Sequence, residues 1–211
     1  MSKLKEWLVS VVEKWYWKVK RSSFSVNKNQ RPWFVFFGDV TERSCAEIVR
    51  WILACNEDHP EFKTLHLFIN SAGGQPESAM AVVHAMKSSK IPVHTVGVGQ
   101  VCSAALLILM GGAWRSVSKR TMLLSHQIHS TFRGKYHDIR ETARYLTELH
   151  TSQVDYYKTC TQLPSEEIRK TLLGPTDCWM TSEKALWFNL IDEVYEEEFI
   201  PVQRVISREK V

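Results

Sequence analysis

The chain has 211 residues, of which 44% are hydrophobic and 24% charged, and its formal net charge at pH 7 is +4. This composition is typical of a globular protein and excludes an intrinsically disordered or collagen-like chain. Basic and acidic residues are interspersed, so nothing predicts the basic stripe of a nucleic-acid-binding protein, and no apolar run approaches the roughly 18 residues of a membrane span. We therefore expect no nucleic-acid partner and no membrane partner.

The five cysteines lie far apart and include no Cys-x-x-Cys pair. Reduced thiols are their expected state, and the histidines lack the spacing of a metal-binding motif. The N-terminus also lacks the apolar core and the cleavage site of a secretory signal peptide. These features predict a cytoplasmic protein that uses no metal or other cofactor.

An amphipathic helix is predicted near the N-terminus. Between Leu4 and Val19, apolar and aromatic residues recur at spacings of three and four. We expect the apolar stripe to pack on the protein's own core or on a neighbouring subunit, and a membrane-surface helix is the alternative. Residues 22–32 are polar and turn-rich, which is typical of a linker. The predicted domains are therefore residues 1–32, a helix and linker, and residues 33–211, the main domain.

From Trp33 onward, short apolar segments alternate with helical periodicity. The predicted strands are "WFVFF", "LHLFIN" and "VHTVGVG", and the predicted helices are "ERSCAEIVRWILAC", "PESAMAVVHAMKSS" and "SAALLILMGG". This alternation indicates an α/β fold with a parallel, buried sheet and right-handed crossovers. Two or three short strands at 115–132, a long polar helix at 136–160, a shorter helix after Pro164 and an edge strand in "EFIPVQRVIS" complete the prediction.

Two strand-to-helix turns carry candidate chemistry, because ligands collect beyond the carboxyl ends of parallel strands. The first turn, "INSAGGQP", contains Gly73 and Gly74, whose backbone N–H groups are free to approach a ligand closely, although a tight turn without a ligand is the commoner use of such a pair. The second, "GQVCSA", places Ser103 at a helix start with the Ala104 N–H beside it. Together they offer a hydroxyl nucleophile and two oxyanion donors.

A serine nucleophile needs a base and a group that orients the base. His126 ends the apolar strand "TMLLSH" where the chain leaves the sheet, and His129 is its nearest competitor. Asp177 lies among turn-forming and apolar residues, which indicates a partly buried carboxylate. The other histidines and aspartates fall at positions typical of surface or core residues.

Four segments resemble the proteolytic subunit of the Clp protease, ClpP. They are "FINSAGGQPESAMAVVHAM", "GVGQVCSAALLILMGGA", "LLSHQ" and "DCWMTSEKALWFNLIDEV", in the order and spacing of that family, and the similarity covers residues 34–195. The resemblance implies that Ser103 is the nucleophile, His126 the general base and later acid, and Asp177 the orienting carboxylate. It also implies an oxyanion hole formed by Gly74 and Ala104.

The resemblance further implies a stack of ββα units, shared with the crotonases, with a protruding handle helix at 136–160. It implies homo-oligomers of two stacked heptameric rings, which receive polypeptide from an ATP-driven Clp unfoldase, and it makes homologous ClpP subunits candidate partners. The sequence departs from the family pattern at Ile128, where a proline is usual, at "HSTFRG", which replaces a glycine-rich strand, and upstream of Trp33.

The leading hypothesis is therefore an ATP-dependent-type serine endopeptidase subunit with a Ser-His-Asp triad. One alternative is a catalytically weak or inactive ring subunit that regulates an active homologue. Another is a crotonase-type enzyme that polarises an acyl-CoA thioester with two backbone N–H groups and has no use for the triad. A membrane-associated peptidase with a Ser/Lys dyad would leave His126 unexplained.

Overall fold

The computed structural model describes residues 31–196. The predicted helix at residues 4–19 and the predicted edge strand near the C-terminus lie outside the described residues. Within residues 31–196, no helix is both long and apolar enough to cross a membrane.

Seven strands between residues 31 and 196 form one sheet. They are β1 (Trp33–Phe37), β2 (Leu65–Ser71), β3 (Val93–Cys102), β4 (Trp114–Ser118), β5 (Met122–Ser125), β6 (Cys178–Met180) and β7 (Glu193–Tyr195). The order is β1-β2-β3-β4-β7, with all neighbours parallel. Strand β5 lies parallel to β3, and β6 pairs antiparallel with β5. The predicted α/β fold with a largely parallel sheet is confirmed.

Five of the six helices of the described region follow the predicted segments, and the short sixth helix was not predicted. The six helices are α1 (Glu42–Asp58), α2 (Pro76–Ser88), α3 (Ala104–Met110), α4 (Tyr136–Thr161), α5 (Ser165–Glu167) and α6 (Ser182–Trp187), with a π-helical turn at Ile168–Leu172 that continues α5. Helix α1 begins with a capping box, in which Thr41 and Ser44 each accept a hydrogen bond from the other's backbone N–H. Proline at the first position of α2 has no N–H to leave unpaired there.

Strand β3 changes its neighbour along its length. Residues 94–97 pair with β4, and residues 100–102 pair with β5. Gly99 lies between the two sections with φ +69°, a conformation that L side chains rarely adopt. The second section of β3 therefore leads away from β4 and carries Ser103 to the end of β5.

One face of the sheet packs against the helices in a single apolar cluster. Along β2, Leu65, Leu67 and Ile69 are fully buried, whereas the intervening side chains are half-buried. On β1, Val35 and Phe37 remain 56% and 61% exposed. The predicted buried sheet is therefore exposed on one face at β1, where Val35 and Phe37 lie on the side away from the buried Phe36.

Helix α4 is the predicted long polar helix and is about 39 Å long at 1.5 Å per residue. Its buried residues, Val154, Tyr157 and Thr161, all lie in its last third. The first half of the helix is largely exposed and the second half packs on the body of the domain. This arrangement is the handle helix that the resemblance implies.

Candidate active site

Ser103 occupies a strained turn between β3 and α3. Its φ of 56° and ψ of −125° are rare for a residue with a side chain. The Ser103 N–H donates to the Leu124 carbonyl at 2.8 Å, and the Ser103 carbonyl accepts from the Leu106 N–H at 2.9 Å. Strain of this kind concentrates at functional sites, and a sharp strand-to-helix turn is the geometry that exposes the serine nucleophile of α/β-hydrolases.

The glycine turn after β2 packs directly against Ser103. A Cβ atom on Gly73 would lie 2.7 Å from the Ser103 Cβ, and one on Gly74 would lie 2.2 Å from the Val40 carbonyl oxygen. Both glycines also have positive φ, 106° and 145°. Glycine is therefore required at both positions, because a side chain there would displace either the serine or the segment around Val40.

Backbone hydrogen bonds hold the glycine turn in place and leave two donors unused. Val40 donates to the Gly73 carbonyl and accepts from the Gln75 N–H, both at 2.8 Å. Among residues 31–196, neither the Gly74 N–H nor the Ala104 N–H donates a hydrogen bond. Two backbone donors beside a serine hydroxyl are suited to stabilising a developing oxyanion.

The strand registers bring the three predicted catalytic residues to one edge of the sheet. Cys102 pairs with Leu124 on β5, so Ser103 lies one step beyond the paired end of β3. Ser125 pairs with Cys178 on β6 in antiparallel register. His126 and Asp177 are therefore the next residues outward on neighbouring strands, beside the turn that holds Ser103.

A cavity of about 170 Å³ lies at this edge. It is lined by Gly74, Ser103, Ala104 and His126, which are four of the five predicted site residues. His129, the competing histidine, also lines it and is exposed. An apolar wall is formed by Leu107, Ile128, Tyr157 and Leu173. The cavity therefore combines a hydroxyl, two imidazoles and two backbone donors with an apolar surface.

Asp177 is exposed, in contrast to the partly buried position that its neighbours indicated. Along β6 the burial alternates, with Cys178 and Met180 buried and Trp179 exposed, and this period of two places Asp177 on the exposed side. Within residues 31–196, no hydrogen bond joins the side chains of Ser103, His126 and Asp177 to one another. Asp177 does not line the cavity.

Cys102 is the rival nucleophile in the same turn. It is 3% exposed, and burial raises the pKa of its thiol. A thiol with a raised pKa remains protonated near neutral pH, and the thiolate is the reactive form. Cys102 is therefore a packing residue.

Several cavity residues were not singled out from the sequence. Tyr157 is one of two adjacent tyrosines in the polar helix α4, and that aromatic pair was the available signal. Gln153, one turn earlier, and Leu173, after the π-helical turn, come from segments that carry no recognisable motif. In the described part of the chain, no group of three or more His, Cys, Asp or Glu side chains could hold a metal ion.

The fold and the site define an α/β protein with a serine-centred cavity at the carboxyl ends of its parallel strands. A family model described as Clp protease matches residues 21–198. The ATP-dependent Clp protease proteolytic subunit of Deinococcus radiodurans is 30% identical over 166 residues, which are 77% of this chain and 80% of the relative. The chain belongs to the Clp protease family.

Proposed function

We propose that the protein is a serine endopeptidase subunit that hydrolyses peptide bonds with Ser103 as nucleophile. The observation that carries the proposal is the strained Ser103 turn, which shares one cavity with His126 and with two unused backbone donors. The family and the name of its Deinococcus relative support proteolysis as the reaction.

In the proposed mechanism, His126 accepts the Ser103 hydroxyl proton while Ser103 Oγ bonds to the scissile carbonyl carbon. The N–H groups of Gly74 and Ala104 donate to the resulting oxyanion, and each such donor contributes about 3 kcal/mol to the transition state. His126 then donates the proton to the leaving amine as the carbon–nitrogen bond breaks. Water, activated by His126, hydrolyses the acyl-enzyme.

Asp177 is the proposed partner of His126. Its role requires the carboxylate to accept a hydrogen bond from the imidazole, which fixes the tautomer that can deprotonate Ser103. The antiparallel register of β5 and β6 supports this pairing, because it makes the two residues neighbours on adjacent strands. We infer that the hydrogen bonds of the triad form when substrate binds, as the catalytic bonds of resting enzymes are often long.

The proposed assembly is a ring of identical subunits that encloses the cavities. The relative's name describes an ATP-dependent protease, and we extend that dependence to this chain, with an ATP-driven unfoldase supplying the polypeptide. The exposed half of helix α4 is the surface available for contacts between rings. Native mass spectrometry of the full chain measures the number of subunits, and a monomer under all conditions would contradict the enclosed chamber.

A fluorophosphonate probe tests the nucleophile and the base. We expect labelling of the wild-type chain at Ser103, no labelling of Ser103→Ala and at least about 10²-fold slower labelling of His126→Ala. Cys102→Ser is the matched control, since it alters the adjacent residue and leaves the hydroxyl in place. Unchanged labelling in both Ser103→Ala and His126→Ala would overturn the assignment.

The alternative to a peptidase is a catalytically inactive ring subunit with a regulatory role. In that case the purified chain cleaves no fluorogenic peptide and is not labelled, yet it alters the peptidase activity of a co-expressed homologue. Stabilisation by an acyl-CoA in a thermal shift assay would instead indicate a crotonase-type activity.

A further inference from the structure

A buried hydrogen-bond chain ends immediately before His126. Ser125, the last residue of β5, is fully buried, and its Oγ lies 2.6 Å from the Leu172 carbonyl oxygen and 2.9 Å from the Tyr157 hydroxyl. Tyr157 is 2% exposed. The chain therefore joins β5, helix α4 and the π-helical turn at one serine hydroxyl.

The direction of the two bonds follows from the number of protons. A serine hydroxyl has one hydrogen, and the Leu172 carbonyl only accepts, so Ser125 donates to Leu172. Tyr157 must then donate to Ser125. All three groups are satisfied, which matters because a buried hydroxyl without a partner is costly. Burial also raises the pKa of Tyr157, so its hydroxyl keeps the proton that it donates.

The same three elements border the candidate site. Tyr157 lines the cavity together with His126, and so does Leu173, which directly follows the acceptor Leu172. The pairing of β5 ends at Ser125, and no regular structure follows until α4 begins at Tyr136. The hydroxyl of Ser125 is therefore the last side-chain anchor before the chain turns into the cavity.

Packing alone does not require a hydroxyl at this position. Ser125 lies in the apolar segment "TMLLSH", next to buried apolar side chains, where an aliphatic residue would satisfy the strand. A polar group in such a place fixes one geometry rather than adding apolar contact. The geometry that it fixes is the exit of the chain toward His126.

We propose that Ser125 and Tyr157 are positioning residues that hold His126 at the cavity beside Ser103. The catalytic consequence of this positioning rests on the proposed function, because only an active peptidase would lose turnover when His126 is displaced. The placement of His126 is a separate, directly measurable quantity.

The test compares Tyr157→Phe and Ser125→Ala with a matched control, Tyr156→Phe. Tyr156 is the adjacent residue of the same helix, and its partly buried hydroxyl donates to the Leu107 carbonyl at 3.0 Å rather than to Ser125. Tyr156→Phe and Tyr157→Phe thus remove the same chemical group. Thermal melting shows whether each variant folds. Ser125→Ala and Tyr157→Phe remove opposite ends of the same hydrogen bond, so either variant alone suffices for the test if the other does not fold.

Two readouts are measured on the full chain. The first is turnover of a fluorogenic peptide: we expect Tyr157→Phe to lower kcat about fivefold with KM changed by less than about twofold, and Ser125→Ala to lower kcat about tenfold. The second is hydrogen exchange at the C2 carbon of His126, followed by mass spectrometry, which we expect to be about threefold faster in both variants. Tyr156→Phe should leave both readouts at the wild-type values.

The two readouts separate the two ways of failing. If the wild-type chain is inactive and His126 exchange still accelerates only in Tyr157→Phe and Ser125→Ala, the proposed function is wrong and the positioning role stands. If the wild-type chain is active, and Tyr157→Phe matches Tyr156→Phe in both kcat and His126 exchange, the positioning role is wrong.

Discussion

Gly74→Ala is the sharpest perturbation of the candidate oxyanion hole. The new Cβ would lie 2.2 Å from the Val40 carbonyl oxygen, and its other near neighbours, at 3.0 and 3.1 Å, are also backbone atoms of Val40. No flexible side chain is present to move aside. The backbone at residue 74 must therefore shift, and the N–H that it offers to the oxyanion shifts with it.

The cost of this substitution has two parts. A side chain at φ +145° brings backbone strain of about 1–3 kcal/mol. Relief of the clash lengthens the two hydrogen bonds that Val40 makes with the turn, each contributing about 1 kcal/mol. We expect the free energy of unfolding to fall by about 3–5 kcal/mol and fluorophosphonate labelling of Ser103 to slow about 10²-fold.

Gly38→Ala is the matched control for strain alone. Gly38 has φ +126°, and a Cβ there would meet no atom of the described residues within 4 Å. Urea denaturation should show only the strain cost, about 1–3 kcal/mol, and labelling should remain at the wild-type rate. If Gly74→Ala unfolds no more easily than Gly38→Ala and is labelled as fast as the wild type, the Val40 contact does not position the oxyanion donor.

Three further predictions concern other parts of the structure. Burial, together with the charge of His66, lowers the pKa of His94 from 6.5 to about 4, so the unfolded chain binds more protons between these values. The free energy of unfolding should therefore fall as the pH drops from 6.5 to 4, and His94→Gln should flatten that dependence in urea titrations at several pH values. Arg115 pairs with Asp192 through two nitrogens, and Arg115→Gln should lower the free energy of unfolding by about 3 kcal/mol in urea, whereas an unchanged midpoint would contradict the pairing. In Cys102→Ser, labelling of Ser103 should remain at about half of the wild-type level or more, and loss of that labelling would assign the nucleophile to Cys102.

The order of β1 to β5 and of α1 to α5 was predictable because apolar periodicity and turn residues are local, whereas the short elements β6, α6 and β7 were not predicted. "WFVFF" and "LHLFIN" contain the strands β1 and β2 within one residue, and the long polar helix ends one residue beyond its predicted boundary. The division of β3 between β4 and β5 was not predictable. The apolar pattern of a strand records which face is buried and carries no information on which neighbour each section pairs with.

The candidate site was predictable to the extent that its residues lie in local motifs. Gly74, Ser103 and Ala104 occupy strand-to-helix turns that the sequence marks with glycine and small residues, and they do meet at one cavity. The exposure of Asp177 depends on the phase of the short strand β6, which three residues cannot establish. The bond between Ser125 and Tyr157 joins residues 32 positions apart and therefore leaves no trace in local periodicity.

The shared strand β3 sets which parts of this chain can change in length. Its first section is in register with β2 and β4, its second with β5, and Ser103 follows directly. Deletion of one residue within Val93–Cys102 would move every later side chain of the strand to the opposite face of the sheet. It would also shift Ser103 by about 3.3 Å along the strand. The irregular segment at 126–135 pairs with no strand of residues 31–196, so loop length can vary there beyond His129 without shifting the sheet. Natural or engineered insertions should accordingly be tolerated in that loop and be excluded from β3.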